Sequence, residues 1–98
     1  MVYLSMNWYS IKLTHKQIER GCDKKIIDEF RNLYIRLNIK EGMALYRDNH
    51  KLHHYQYYYF RVPDSFPFDP LKIFSHNAEV NRTFPPAIMM LEPIEGDY

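Results

Sequence analysis

A chain of 98 residues supports one domain with one core, held with little stability to spare. Its 46% hydrophobic and 26% charged residues argue against disorder, and 13 Lys and Arg against 12 Asp and Glu leave a net charge of +1, without the basic excess of a typical nucleic-acid module. A single cysteine, Cys22, excludes an intrachain disulfide and points to a reducing compartment, so a cytoplasmic protein is expected.

The opening stretch Met1–Thr14 lacks the basic region and long apolar run of a signal peptide, and no segment approaches the roughly 18 apolar residues that a membrane helix needs. Met6 is an alternative start, which would make Met1–Ser5 an extension. The Asn81-Arg82-Thr83 sequon reads as coincidence in a chain with no secretory signal. The aromatic content is unusual: nine Tyr, six Phe and one Trp stand beside only three Gly. Tyr buries a large ring while its hydroxyl still needs a partner, which suits strands and covered surfaces.

The first predicted element is a strand over Tyr3–Leu13. Tyr9, Ile11 and Leu13 alternate with Trp8, Ser10 and Lys12, a period of two that sends the first set to a core and the second outward. Thr14-His15-Lys16-Gln17 matches a capping box, in which Thr14 accepts from the Gln17 amide and the Gln17 side chain reaches back. A helix is expected from His15 to Leu37, kinked near Gly21. Its apolar stripe is Ile18, Cys22, Ile26, Phe30, Leu33, Tyr34 and Leu37. Asn38 or Gly42 would end it.

A second strand is predicted over Gly42–Arg47 and a Tyr-dense third over His53–Val62, joined by the polar turn Asp48-Asn49-His50-Lys51. Asp69 and Pro70 suit the start of a short helix reaching about His76. The apolar run Ala87–Leu91 reads as a last strand buried on both faces. Glu92–Tyr98 reads as a flexible acidic tail on an otherwise single α+β domain over residues 1–98. The order strand, helix, strand, strand, helix, strand is that of the ferredoxin-like split βαβ sandwich: a four-stranded antiparallel sheet with one long and one short helix on one face.

That topology leaves the other face open, with Trp8, Lys12, Tyr57, Tyr59 and Arg61 upon it. An exposed aromatic patch of this kind marks a contact. Self-association as a homodimer, or binding of a protein partner, is the first expectation, since two-fold dimers are the commonest oligomers and Tyr and Trp are favoured anchors. Single-stranded RNA stacking on the rings ranks below these, because the strand lacks the glycine of the ribonucleoprotein consensus and the chain lacks positive charge. The alternative is a small dimeric enzyme or ligand-binding protein with a pocket between sheet and helices, lined by Tyr9, His15 and Tyr46.

Other chemistry is weaker. His50, His53 and His54 cluster at the hairpin, but adjacent strand residues point to opposite faces and no cysteine is near, so no metal is expected. Cys22 lies in the apolar stripe and reads as core. Asp64, Asp69, Glu92, Glu95 and Asp97 read as a solvated surface. No phosphate-binding glycine loop, zinc-protease motif or serine-nucleophile elbow is present, and no cofactor or catalytic residue is expected. The reading is a non-enzymatic interaction protein.

Overall fold

A computed structural model describes residues 5–38, 42–50, 54–75 and 78–96. In chain order the elements are β1 (Met6–Thr14), α1 (His15–Glu19), α2 (Cys22–Leu37), β2 (Ala44–Asp48), β3 (Tyr55–Pro63), β4 (Glu79–Thr83) and β5 (Leu91–Gly96). Single 3-10 turns occupy Pro70–Lys72 and Ile88–Met90. Outside the described residues lie Met1–Leu4 of the expected extension and first strand, Lys51 of the turn, His53, His76 at the end of the expected second helix, and Asp97 and Tyr98 of the tail.

The capping box forms as read: the Gln17 amide donates to Thr14 Oγ1 at 3.2 Å, and the Thr14 amide donates to Gln17 Oε1 at 2.8 Å. The single long helix does not form. Gly21 adopts a left-handed φ of 83°, a conformation that the helix ladder cannot contain, so the chain stops at α1 and restarts as α2. Asn38, also left-handed, closes α2 with its N–H on the Ile35 carbonyl. The buried face of α2 is Ile26, Phe30 and Leu33, three members of the expected stripe.

Among the described residues the sheet has five strands in the order β4-β1-β3-β2-β5, with every neighbouring pair antiparallel. This corrects the four-stranded ferredoxin-like expectation in three places. The second helix is reduced to the turn at Pro70–Lys72, capped by Asp69, whose carboxylate accepts from the Leu71 amide at 3.0 Å. The strand beside β1 is Glu79–Thr83, and the apolar run Ala87–Leu91 is instead a 3-10 turn leading into β5. Finally, residues 92–96 are no loose tail: they complete β5 against β2.

Long-range ion pairs explain why an acidic segment with a proline docks as a strand. Arg31 of α2 donates through Nε to Glu95 at 2.7 Å, and Arg47 of β2 lies 2.6 Å from Glu92. Pro93 faces Tyr46 next to a register shift, a position that only an edge strand tolerates. At Gly96, φ is 79° and a Cβ would stand 2.1 Å from the Met43 carbonyl oxygen, so only glycine lets the end of β5 close on β2.

The pairings set which face each connection covers. β1 and β2 run one way, while β3, β4 and β5 run the other. For one handedness of crossover, the β3-to-β4 link must lie on the same face as α1 and α2, because both strand direction and travel are reversed. The β4-to-β5 link reverses direction only and must cross the opposite face. Burial agrees on both counts. Phe66, Ile73, Phe74 and Ala78 pack with α2 against the main core, while Leu91, at the end of the second link, packs against Trp8, Ala44 and Tyr46 on the other side. Residues 84–90 thus form a strap across the sheet.

The main core lies between sheet and helices. Phe60 stands at its centre, stacked on Tyr9 with ring centroids 5.1 Å apart, and meets the edges of Phe30 and Phe74. Ile11, Leu13, Met43, Leu45, Tyr58 and Val62 complete it, all buried. The expected inward set of β1 and β3 is therefore the observed one.

Candidate binding face

The face opposite the helices is built by strand parity. In Tyr55–Pro63 the residues Tyr58, Phe60 and Val62 enter the core, which sends Tyr55, Tyr57, Tyr59 and Arg61 the other way. Across the pairing, Arg61 faces Trp8, Tyr59 faces Ser10 and Tyr57 faces Lys12. The five residues expected on this face, Trp8, Lys12, Tyr57, Tyr59 and Arg61, do share it.

They are not equally available. Trp8 is buried, 6% exposed, and so is Tyr46 on β2. Their rings stack across β3 at 5.7 Å, and the Arg61 guanidinium lies over both, 5.7 Å from the Trp8 ring and 5.9 Å from Tyr46. Leu91 and the partly buried Tyr59 close this second, smaller core. Trp8 is thus a packing residue rather than a free contact, because Tyr46 and Leu91 close over it.

The other end stays partly open. Tyr55, Tyr57 and Tyr59 are half-buried and form a ladder along β3, with Tyr55 and Tyr57 edge to face at 5.5 Å and Tyr57 and Tyr59 stacked at 6.3 Å. Lys12 places its Nζ 4.1 Å from the Tyr55 ring centroid, a cation–π contact. Burial holds the Tyr59 hydroxyl above its ordinary pKa, with the Asp48 carboxylate and Tyr57 adding to the effect. The Tyr59 hydroxyl is therefore held in its neutral form near pH 7.

Two sets of residues bear on this face and escaped the sequence reading. The strap carries Phe84, Met89 and Met90, which are 90%, 94% and 44% exposed. Their signal was the apolar stretch before Leu91, which alternation alone does not distinguish from a buried strand. Beside the ladder, Lys12, Thr14, Lys16, Gln17, Arg20 and Glu79 line a cleft of about 450 Å³. Its sequence signal was the recurrence of a cation every four residues at positions 12, 16 and 20.

The residues expected to share a pocket are not brought together. Tyr9 belongs to the main core, Tyr46 to the smaller core on the opposite face, and His15 is exposed at the start of α1. Between α2 and the sheet the space is filled by Ile11, Leu13, Ile26, Phe30 and Phe60. Cys22 is partly buried against that core, as read. His50 and His54 are exposed, and no group of three or more His, Cys, Asp or Glu is placed to hold a metal among the described residues. The acidic residues are engaged rather than merely solvated: Asp64 accepts from Asn7 at 2.7 Å, Asp69 caps its turn, and Glu92 and Glu95 anchor β5. Among the described residues, no helix is long and apolar enough to cross a membrane.

No protein-family model, curated protein or solved structure matches the chain.

Proposed function

We propose that the protein is a non-enzymatic interaction protein that works as a homodimer through the face opposite its helices, and that it does so in the cytoplasm, as its single unpaired cysteine suggests. One observation carries the reading. Among the described residues six large apolar side chains are exposed, and Phe84, Met89 and Met90 of these lie on the link that leads into Leu91, a member of the smaller core against which Tyr59 packs. Exposed apolar side chains on one link of a sheet that also carries half-buried rings favour a covering partner. Methionine is unbranched and adapts to the surface it meets, and Tyr supplies contact area at little entropic cost.

A second copy suits the site because the net charge of +1 sets up almost no repulsion between chains. Arg61 and Trp8 pack together at the neighbouring end of the same face, and Lys12 borders the ladder at the other. The enzyme reading draws less support, since its three expected pocket residues lie apart and the space between sheet and α2 is occupied by side chains.

Light scattering on a sizing column tests the proposal. The wild type should run as a dimer, and the variants Tyr57→Ser/Tyr59→Ser and Phe84→Ser/Met89→Ser should run as monomers with unchanged circular dichroism. A wild type that stays monomeric at millimolar concentration, or variants that associate as before, would overturn it.

A further inference from the structure

The cleft at the corner of β1, α1 and β4 is separate from the exposed strap residues and gathers cationic side chains. Lys12, Lys16 and Arg20 line it with one carboxylate, Glu79. Three of the thirteen cationic residues and one of the twelve acidic ones sit here, so the remainder of the chain is net negative. The concentration of positive charge is therefore local.

Lys12 lies over the Tyr55 ring, a contact that leaves its charge uncompensated by a carboxylate. No ion pair joins Lys12, Lys16 or Arg20 to a carboxylate among the described residues. Lys16 and Arg20 stand one helical turn apart, where like charges repel. Lys16 and Arg20 are both exposed, so their side chains are free to close on a ligand. Thr14 Oγ1 accepts from the Gln17 amide and still has its hydroxyl proton to donate. A cleft with three cations, one carboxylate and a hydroxyl donor is chemically suited to a multiply charged oxyanion.

We propose that this cleft binds a diphosphate group, held by Lys12, Lys16 and Arg20 with Thr14 as a further donor. The three cations less Glu79 leave about two positive charges, enough to offset most of a diphosphate's charge while leaving it exchangeable. The diphosphate is either free or part of a nucleotide. Tyr55, in contact with Lys12 at 4.1 Å, supplies the nearest ring on which a base would stack.

Titration of the full chain with pyrophosphate, ADP and adenosine, followed by amide and side-chain NMR shifts, tests this. Pyrophosphate and ADP should give saturable shifts at Thr14, Lys16, Gln17 and Arg20 that weaken as salt is raised. The double variant Lys16→Glu/Arg20→Glu should lose at least about tenfold in affinity, and Lys16→Gln/Arg20→Gln, the milder change, should lose part of that. ADP and pyrophosphate binding equally well identifies the free diphosphate as ligand. Tighter ADP binding, with the gain abolished by Tyr55→Leu, identifies a nucleotide. No saturable shift with either probe, an unchanged affinity in the double variant, or adenosine binding as tightly as ADP overturns the proposal. The double variant should keep the wild-type mass in light scattering, which separates the fate of this site from that of the dimer.

Discussion

Arg61 lies over the Trp8 ring, its guanidinium carbon 5.7 Å from the ring centroid, and so couples the middle strand of the sheet to the covered end of the binding face. The same guanidinium reaches Tyr46, so one planar cation braces aromatic residues from two other strands. Lysine carries the charge but not the plane.

Arg61→Lys should therefore destabilise the protein by about 0.5–2 kcal/mol, the span of cation–π contacts from exposed to desolvated sites. Urea denaturation followed by the emission of Trp8, the one tryptophan, reads this directly. The native emission should also shift to longer wavelength as water reaches the indole. A midpoint and spectrum equal to the wild type would show that the brace contributes nothing.

Two glycines with nearly the same backbone should respond differently to alanine. Gly21 has a φ of 83° and open space around its Cβ direction, so Gly21→Ala should cost only about 1–2 kcal/mol for the left-handed conformation. Gly96→Ala adds a collision with the Met43 carbonyl and the Ala44 Cα, both backbone. It should cost more and free β5 specifically. Hydrogen exchange should then show lost protection in β2 and β5, with β1 and β3 unaffected.

Thr14→Ala removes half of the capping box and should cost about 1 kcal/mol. Its effect should be concentrated in α1, whose five residues include no fully buried side chain. Amide exchange confined to α1 would support this, whereas uniform loss across the sheet would contradict it.

Alkaline pH should unfold the protein through Tyr58. Burial raises its pKa above the ordinary 10.0, with Asp23 adding to the effect and Arg47 opposing it. In the unfolded chain the hydroxyl ionises near 10.0, so above that pH the unfolded state binds fewer protons than the folded one and stability falls. The contribution is complete below pH 10 and is lost as pH rises through the folded-state value. Tyr58→Phe should flatten the decline in denaturation midpoint above pH 10 and leave the midpoint at pH 7 within the cost of one hydroxyl contact.

What the chain declares locally is what proved legible. The alternation in β1 and β3 assigns Ile11, Leu13, Phe60 and Val62 to the core correctly because each strand is central and has one face fully buried. The capping box needs only four consecutive residues. β4 was missed because an edge strand needs little apolar surface, and Glu79–Thr83 has one aliphatic residue, Val80. β5 was missed because its glutamates and proline read as a tail, and their partners Arg31 and Arg47 are 64 and 45 positions away. Strand parity puts Trp8 on the right face but does not show that it is covered, since Tyr46 and Leu91, which close over it, lie on strands far downstream in the chain. The basic cleft combines a strand, a short helix and an edge strand, and only folding gathers them.

The position of β1 has a consequence for synthesis. Its two neighbours in the sheet, β3 and β4, are both encoded downstream, with Met6 opposite Pro63 and Trp8 opposite Thr83. At about 5–20 residues per second, a ribosome leaves this first strand without either neighbour for several seconds. Through that interval the apolar residues Tyr9, Ile11 and Leu13 are bare, and α1 and α2 alone can shelter them. The nascent chain is thus most vulnerable to aggregation before its Tyr-rich segment emerges, and a chaperone that engages β1 early would raise the folded yield without altering the final stability.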